Sequence, residues 1–208
     1  MEGPSQGAES KSALKIAAEA KLPTKYGTFR VVAFRCAAGG KEHVAIVKGG
    51  VQGKEAVPIR VHSECLTGDV FSSLRCDCRA QLEAALEKIS KFPFGAILYM
   101  RQEGRGIGLA NKIRAYALQD KGMDTVEANH ALGFPPDMRE YGESAEMLRL
   151  LRIKSVALIT NNPDKIGKLS ASGIKISRRI PHEFGKTEYN RGYLRVKKSK
   201  MSHLLSDV

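Results

Sequence analysis

Tryptophan is absent from this chain, and aromatic residues make up only 6% of it. Proteins that hold nucleic acid by stacking bases need such rings, so their scarcity counts against a stacking platform. Long apolar runs are missing as well. No stretch approaches the ~20 residues that span a bilayer, and Met1 to Lys21 lacks the compact apolar segment of a secretory signal. Acidic residues are in short supply, 22 against 34 basic ones, for a net charge of +12. Such an excess calls for a polyanionic partner or leaves strong self-repulsion. Much of it lies toward the C-terminus, where a solvated surface, a nucleic-acid face and a pocket for a phosphorylated small molecule all remain open. Cysteine is rare, with four residues. Without an export signal these thiols are expected to be reduced, in the cytoplasm, and a cluster of them points to metal rather than to disulfides.

Three of the four cysteines, Cys65, Cys76 and Cys78, fall in one short run. Structural zinc sites close the tetrahedron with four protein ligands, whereas catalytic sites keep a position for water or substrate. Three thiols in the spacing Cys-x10-Cys-x-Cys therefore point to zinc that does chemistry. A structural site completed by His62, Cys36 or a partner chain stays open on spacing alone. Cys36 stands far from the others in an apolar strand, where it reads as a small core residue or as the fourth ligand.

The pattern predicts a strand over 27–36, a turn at Gly39-Gly40, a returning strand at 43–47 and a third at 57–61. Thiols separated by one residue share a side only on extended or turn backbone, so Cys76-Asp77-Cys78 is not expected to be helical. A helix follows, with Leu82, Ala85, Leu86 and Ile89 on one face. Its positive end would lie near the thiolates. A buried strand at 94–100 leads into glycine-rich residues 101–108. The next helix would bury Leu109, Ile113, Tyr116 and Ala117 and stop at Gly122. A helix at 143–151, a strand at 155–160, a short helix after Pro163 and a strand at 174–176 complete the pattern. Residues 1–21 read as a flexible lead-in with a short helix at 13–18. The expected fold class is α/β (mixed α+β): one compact domain over 22–208, with a mixed sheet flanked by helices and an N-terminal antiparallel β-hairpin.

Three further segments carry polar chemistry. Glu103-Gly-Arg-Gly-Ile-Gly108, with Arg101 and Arg105, offers amides and cations to phosphate oxygens, or is a tight turn. Its glycines do not fit the dinucleotide fingerprint. Residues 135–141 form a loop crowded with ionisable groups, by default exposed. Thr160-Asn-Asn-Pro-Asp-Lys165 lies where ligands gather in α/β sheets, or simply caps a helix.

Taken together, Arg60–Asp69, Leu74–Cys78, Arg101–Leu109, Ala115–Asp120, Thr160–Pro163 and Lys200–Leu205 resemble the GTP cyclohydrolase II family of riboflavin synthesis, in order along the chain. The resemblance implies zinc on Cys65, Cys76 and Cys78. It implies GTP held by Arg60, Val61, His62, Ser63, Glu64, Gln81, Glu103, Gly104, Arg105, Thr125, Thr160 and Lys165. Asp137 would be the proton acceptor, Arg139 the nucleophile at the α-phosphate, and Tyr116 an assistant at the zinc site. The implied reaction turns GTP and water into a 2,5-diamino-6-ribosylamino-pyrimidinone 5′-phosphate, formate and pyrophosphate, with magnesium at the phosphates. A homodimer is implied too, with no nucleic acid and no membrane required. Arginine is a hard nucleophile to accept, because guanidinium stays protonated at ordinary pH. Arg79, Met138 and residues 180–189 depart from the family pattern. The chain has no room for the dihydroxybutanone phosphate synthase domain fused to some relatives, so a monofunctional enzyme is expected. The rival class is a zinc-dependent nucleic-acid-binding protein, which the charge favours and the lack of a recognition module opposes.

Overall fold

The structure, a computed structural model, describes residues 14–36 and 40–206. A seven-stranded mixed sheet organises them, in the order β1-β2-β3-β5-β4-β6-β7. Strands β1 (Leu14–Thr24), β2 (Gly27–Cys36) and β3 (Glu42–Lys48) form an antiparallel meander that joins β5 (Gly95–Met100). Strands β4 (Val57–Ser63), β6 (Val156–Ile159) and β7 (Ile176–Ile180) continue it in parallel. The expected mixed sheet with its N-terminal hairpin is present.

Both faces of the sheet are covered. Val32, Phe34, Ile59, Val61 and Leu98 pack with Met147 and Leu148 of α5 (Gly142–Leu150) and with Leu169 of α6 (Pro163–Ala171). On the other face Phe29, Ile97 and Ile159 meet Ala85 and Ile89 of α2 (Cys78–Ser90). The central strands are buried on both sides, which is why β4, β5 and β6 read as continuous apolar runs instead of alternating ones.

The N-terminal reading is corrected. Leu14–Thr24 is neither a helix nor a loose lead-in but a full edge strand, in register with β2 from Leu14↔Cys36 to Thr24↔Gly27. Alanine-rich residues 13–20 favour a helix locally, but the free edge of β2 offers a ladder of backbone partners that an isolated short helix cannot match. Exposed Lys15, Glu19 and Lys21 keep that edge from pairing further. Residues 1–13 lie outside the described part.

Cys36 is a core residue, as one of its two readings held. Helix α3 (Leu109–Gln119) is also turned from its expected orientation. Leu109, Ile113 and Ala117 are exposed, while Lys112 and Ala115 are buried. Among the helices that were not foreseen are α4 (Thr125–Ala131), opened by an Asp124/Glu127 capping box, and the strongly basic α7 (Arg191–Lys200).

Candidate active site

One cavity opens at the carboxyl ends of β4 and β6. The chain leaves β4 for β5 on one side and returns to β6 on the other, and such a switch in strand order is where α/β sheets bind ligands. Arg60 and His62 reach the cavity from β4, with Ser63, Glu64 and Cys65 at its end. Thr160 directly follows β6, and Lys165 enters from the first turns of α6. Asn162 caps that helix by accepting from the Asp164 amide, so the segment serves as both cap and cavity wall. Gln81, Glu103, Gly104, Arg105, Tyr116, Thr125 and Arg139 complete the expected set in the wall. Two expected residues stand behind it. Val61 presents only its carbonyl, which accepts from Lys165 Nζ at 2.7 Å, and Asp137 reaches the cavity through Arg139. Arg101 is a correction: it is exposed, pairs with Glu64 at 2.9 Å and does not face the cavity.

At one end of the cavity the three thiols converge. Short helix α1 (Leu66–Asp69) turns the chain back after Cys65, and Cys78 is the first residue of α2. Their sulfurs lie within 4.8 Å of one another, with Cys65 and Cys76 at 3.7 Å. Thiolates ~2.3 Å from one zinc ion stand about 3.8 Å apart at the corners of a tetrahedron, so the donor set and its spacing fit zinc. Neither His62 nor Cys36 belongs to the group. Without a metal the three cannot all ionise. Hydrogen bonds from the Cys76 and Cys78 thiols hold Cys65 far below its ordinary value. Bonding to Cys65 pushes Cys76 up to about 11 and Cys78 well above the usual range. A metal would displace those protons.

Gly68 in α1 leaves room for the sulfurs. A Cβ there would stand 2.9 Å from Cys76 Sγ and 3.1 Å from Cys65 Sγ. Gly68→Ala is therefore expected to weaken metal binding by at least about tenfold while the fold persists. Chelator competition beside circular dichroism checks this; unchanged affinity would contradict it.

The same cavity is strongly cationic: Arg60, Arg105, Arg139, Lys165 and Lys197 all line it, with Lys197 reaching Asp77 beside the thiols. Burial, followed by the Arg60 and Arg139 charges, drives the Lys165 ammonium well below its ordinary pKa, and burial lowers Arg60 to about 10. A polyanion among them would relieve both shifts. Arg60 Nε and Arg105 Nη2 are buried with no partner among the described residues. Such donors are costly unless a ligand accepts from them.

The loop 101–108 and the loop 135–141 are coupled here. Gly104 and Arg105 adopt left-handed backbone, with φ of 63° and 60°, and the Arg105 carbonyl accepts from the Met138 amide at 3.0 Å. Arg105 carries a side chain in a region that favours glycine, a strained conformation found where sites are built. The default reading of 135–141 as a solvated loop is thus corrected. Arg139 grips Asp137 through Nε at 2.9 and 3.1 Å and through Nη2 at 2.5 Å, and both side chains are largely buried.

Sequence reasoning missed several cavity residues. Asp77, between two of the thiols, accepts from Lys197 Nζ at 2.7 Å, which brings α7 over the cavity. Tyr193 of α7 lies between the Arg105 and Lys197 cations. Part of the basic C-terminal charge is therefore turned inward onto the site. The alternation of basic residues with Tyr193 and Leu194 was the available signal, but charge excess alone did not show its direction.

His182 is buried at the rim, where its Nε2–H donates to the Gln81 carbonyl at 2.8 Å. Burial, aided by the Arg60 charge, lowers its pKa to about 3. An unfolded histidine titrates near 6.5. Between these values the unfolded chain binds a proton that the native chain refuses, so stability falls as pH drops, by up to about 1.4 kcal/mol per unit. The melting temperature is expected to decline from pH 6.5 toward 4, and His182→Asn to flatten that decline. Parallel profiles for the two proteins would refute the assignment.

Comparison with known proteins agrees with this geometry. A family model described as GTP cyclohydrolase II matches residues 15–181. The GTP cyclohydrolase-2 of Tolumonas auensis is 53% identical over 196 residues, covering 94% of this chain and 100% of that protein. The GTP cyclohydrolase-2 of Cronobacter sakazakii is 56% identical over 193 residues, 93% of this chain and 98% of that one. The riboflavin biosynthesis protein RibBA of Endomicrobium trichonymphae is 54% identical over 187 residues, 90% of this chain, which spans 46% of that longer protein. The matches run through the strands and loops that bring thiols and cations into one cavity, and the chain belongs to the GTP cyclohydrolase II family.

Proposed function

We propose that this chain is a zinc-dependent GTP cyclohydrolase II acting in riboflavin biosynthesis. The reaction is hydrolysis of GTP to 2,5-diamino-6-(5-phospho-ribosylamino)pyrimidin-4(3H)-one, formate and pyrophosphate. One observation carries the reading: three convergent thiols and a cluster of cations line a single cavity. GTP suits both features, with a ring to be opened at a metal and a triphosphate to be held by cations.

Cys65, Cys76 and Cys78 would hold zinc, which when bound supplies a Lewis acid and lowers the pKa of water to about 7. Tyr116 stands beside this end, its hydroxyl 3.3 Å from Thr67 Oγ1, and burial raises its pKa to about 12. It remains protonated at neutral pH and serves as a hydrogen-bond donor. Arg60, Arg105, Lys165 and Arg139 bind the phosphates through charge-assisted hydrogen bonds. Glu64, Gln81, His62, Ser63, Thr125 and Thr160 are polar wall positions that orient the nucleoside. Arg139 and Asp137 act at the α-phosphate. Burial pushes the Arg139 guanidinium down, but Tyr141 and the Asp137 carboxylate more than offset this and keep it protonated. A nucleophilic Arg139 needs Asp137 to take its proton; otherwise the pair stabilises charge on the phosphate. Magnesium fits as a companion of the triphosphate. Nearby Asp77, Glu103 and Asp137 are already paired with Lys197, Lys112 and Arg139. The ion would therefore arrive largely on substrate oxygens.

A second copy of the chain is the proposed partner. Val70, Phe71, Leu74, Leu109 and Ile113 are exposed apolar residues from two segments joined by the Thr67–Tyr116 contact and the Arg75–Asp120 pair. No helix among the described residues is long and apolar enough to cross a membrane. Reduced thiols suit the cytoplasm.

The test is to incubate zinc-loaded protein with GTP and magnesium and follow formate, pyrophosphate and product mass together. Equal formate and pyrophosphate with the deformylated product mass are expected. Salt-dependent nucleic-acid binding without turnover would instead favour the rival class.

A further inference from the structure

A centre built from three thiolates carries a difficulty that neutral imidazole ligands do not. Three anionic ligands outweigh a divalent ion, and the charge they donate opposes the polarisation for which a hydrolytic metal is used. Something close to the sulfurs has to draw that charge back.

Lys112 is placed to do so. Its Nζ donates to Cys65 Sγ at 3.1 Å and to Glu103 Oε1 at 2.8 Å. The residue is only 8% exposed, so its ammonium is held against the sulfur and not shared with solvent. The Glu103 carboxylate is already committed elsewhere: Oε2 accepts from the Leu66 amide at 2.6 Å and Oε1 from the Gly104 amide at 2.7 Å. It anchors Lys112 without cancelling the whole of its field. Thr67 Oγ1 lies 3.7 Å from the same sulfur, so Cys65 has polar neighbours on two sides. The rotation of α3 that leaves Leu109 and Ile113 exposed is what points Lys112 inward.

We infer that Lys112 is a charge-compensating and positioning residue of the metal centre, whose hydrogen bond to Cys65 withdraws electron density from the thiolate. It acts through Cys65, to which its ammonium is bonded. The inference rests on the zinc reading above. Partners of metal ligands of this kind typically change affinity or activity by about 10- to 100-fold when removed.

Cobalt(II) substitution separates this role from simple packing, because the thiolate-to-cobalt charge-transfer band reports the energy of the sulfur lone pairs. Losing a cationic donor raises those orbitals and moves the band to longer wavelength. Lys112→Met keeps the apolar stem and is expected to bind cobalt with the band shifted in that sense, with formate release lowered about 10- to 100-fold. A band at the wild-type position in Lys112→Met would overturn the inference. If that variant does not fold, Lys112→Gln gives the same comparison: a longer-wavelength band supports the role and an unmoved band overturns it. A wild-type protein that shows no thiolate-to-cobalt band at all overturns the zinc reading itself, and this inference with it.

Discussion

Cys76→Ser is expected to abolish formate release, with a loss of at least ~10³-fold, because the acidification of water by about nine pKa units that zinc would supply goes with the metal. The serine hydroxyl is small enough to leave the fold intact, but it is a hard, protonated donor where zinc takes a soft thiolate. Cys76 is half-buried and 3.7 Å from Cys65, the spacing of two thiolates sharing one metal. Bound zinc should fall with activity. The cations stand on other segments than Cys76, so release of pyrophosphate should survive at a measurable rate. Parallel assays of zinc content, formate and pyrophosphate check all three points. Formate release at a tenth of wild type or better, from metal-free protein, would refute a metal role for the triad.

The second large effect concerns Arg139→Lys. The guanidinium holds both Asp137 oxygens in a fork geometry that a point-charge ammonium cannot reproduce. The pair is largely buried, so an imperfect replacement leaves Asp137 partly uncompensated. Pyrophosphate release is expected to fall by about 10²- to 10³-fold, the size seen when one preorganised donor to developing charge is lost. The variant also divides the two roles. A charge-stabilising Arg139 leaves residual turnover in the lysine protein, while a covalent guanidine–phosphate step leaves none. Near-normal release would remove Arg139 from the nucleophile role altogether.

Much of the site was readable before the fold was known, for reasons local to the chain. The Cys-x-Cys spacing calls for non-helical backbone, which Cys76 and Asp77 supply, while Cys78 already opens α2. Residues 94–98 and 156–159 are apolar on both alternations, which marks central strands, and polar residues just past such strands fall at the sheet's carboxyl edge. Local rules failed where a partner distant in sequence decided the outcome. Even residues 14–24 became a strand through pairing outside their own segment, because the adjacent β2 offered an edge in register. Helix α3 has apolar residues on two sides, and periodicity chose the side that faces out, since it cannot know that Cys65 and Glu103 wait for Lys112 on the other. The Lys197–Asp77 pair spans 120 positions and left no local trace.

The sequence by itself determined the chemistry available: three thiols, a surplus of cations and the order of strands and helices. Each of these follows from residue type or from periods of two to four residues. Only the tertiary structure decided how they meet. It set which face of α3 is buried, that α7 folds its lysine onto Asp77, and that Asp137 and Arg139 are a buried pair instead of a solvated loop. Those outcomes depend on desolvation and on contacts between segments far apart in the chain, and desolvation is what turns a lysine or an arginine from a surface charge into part of a site.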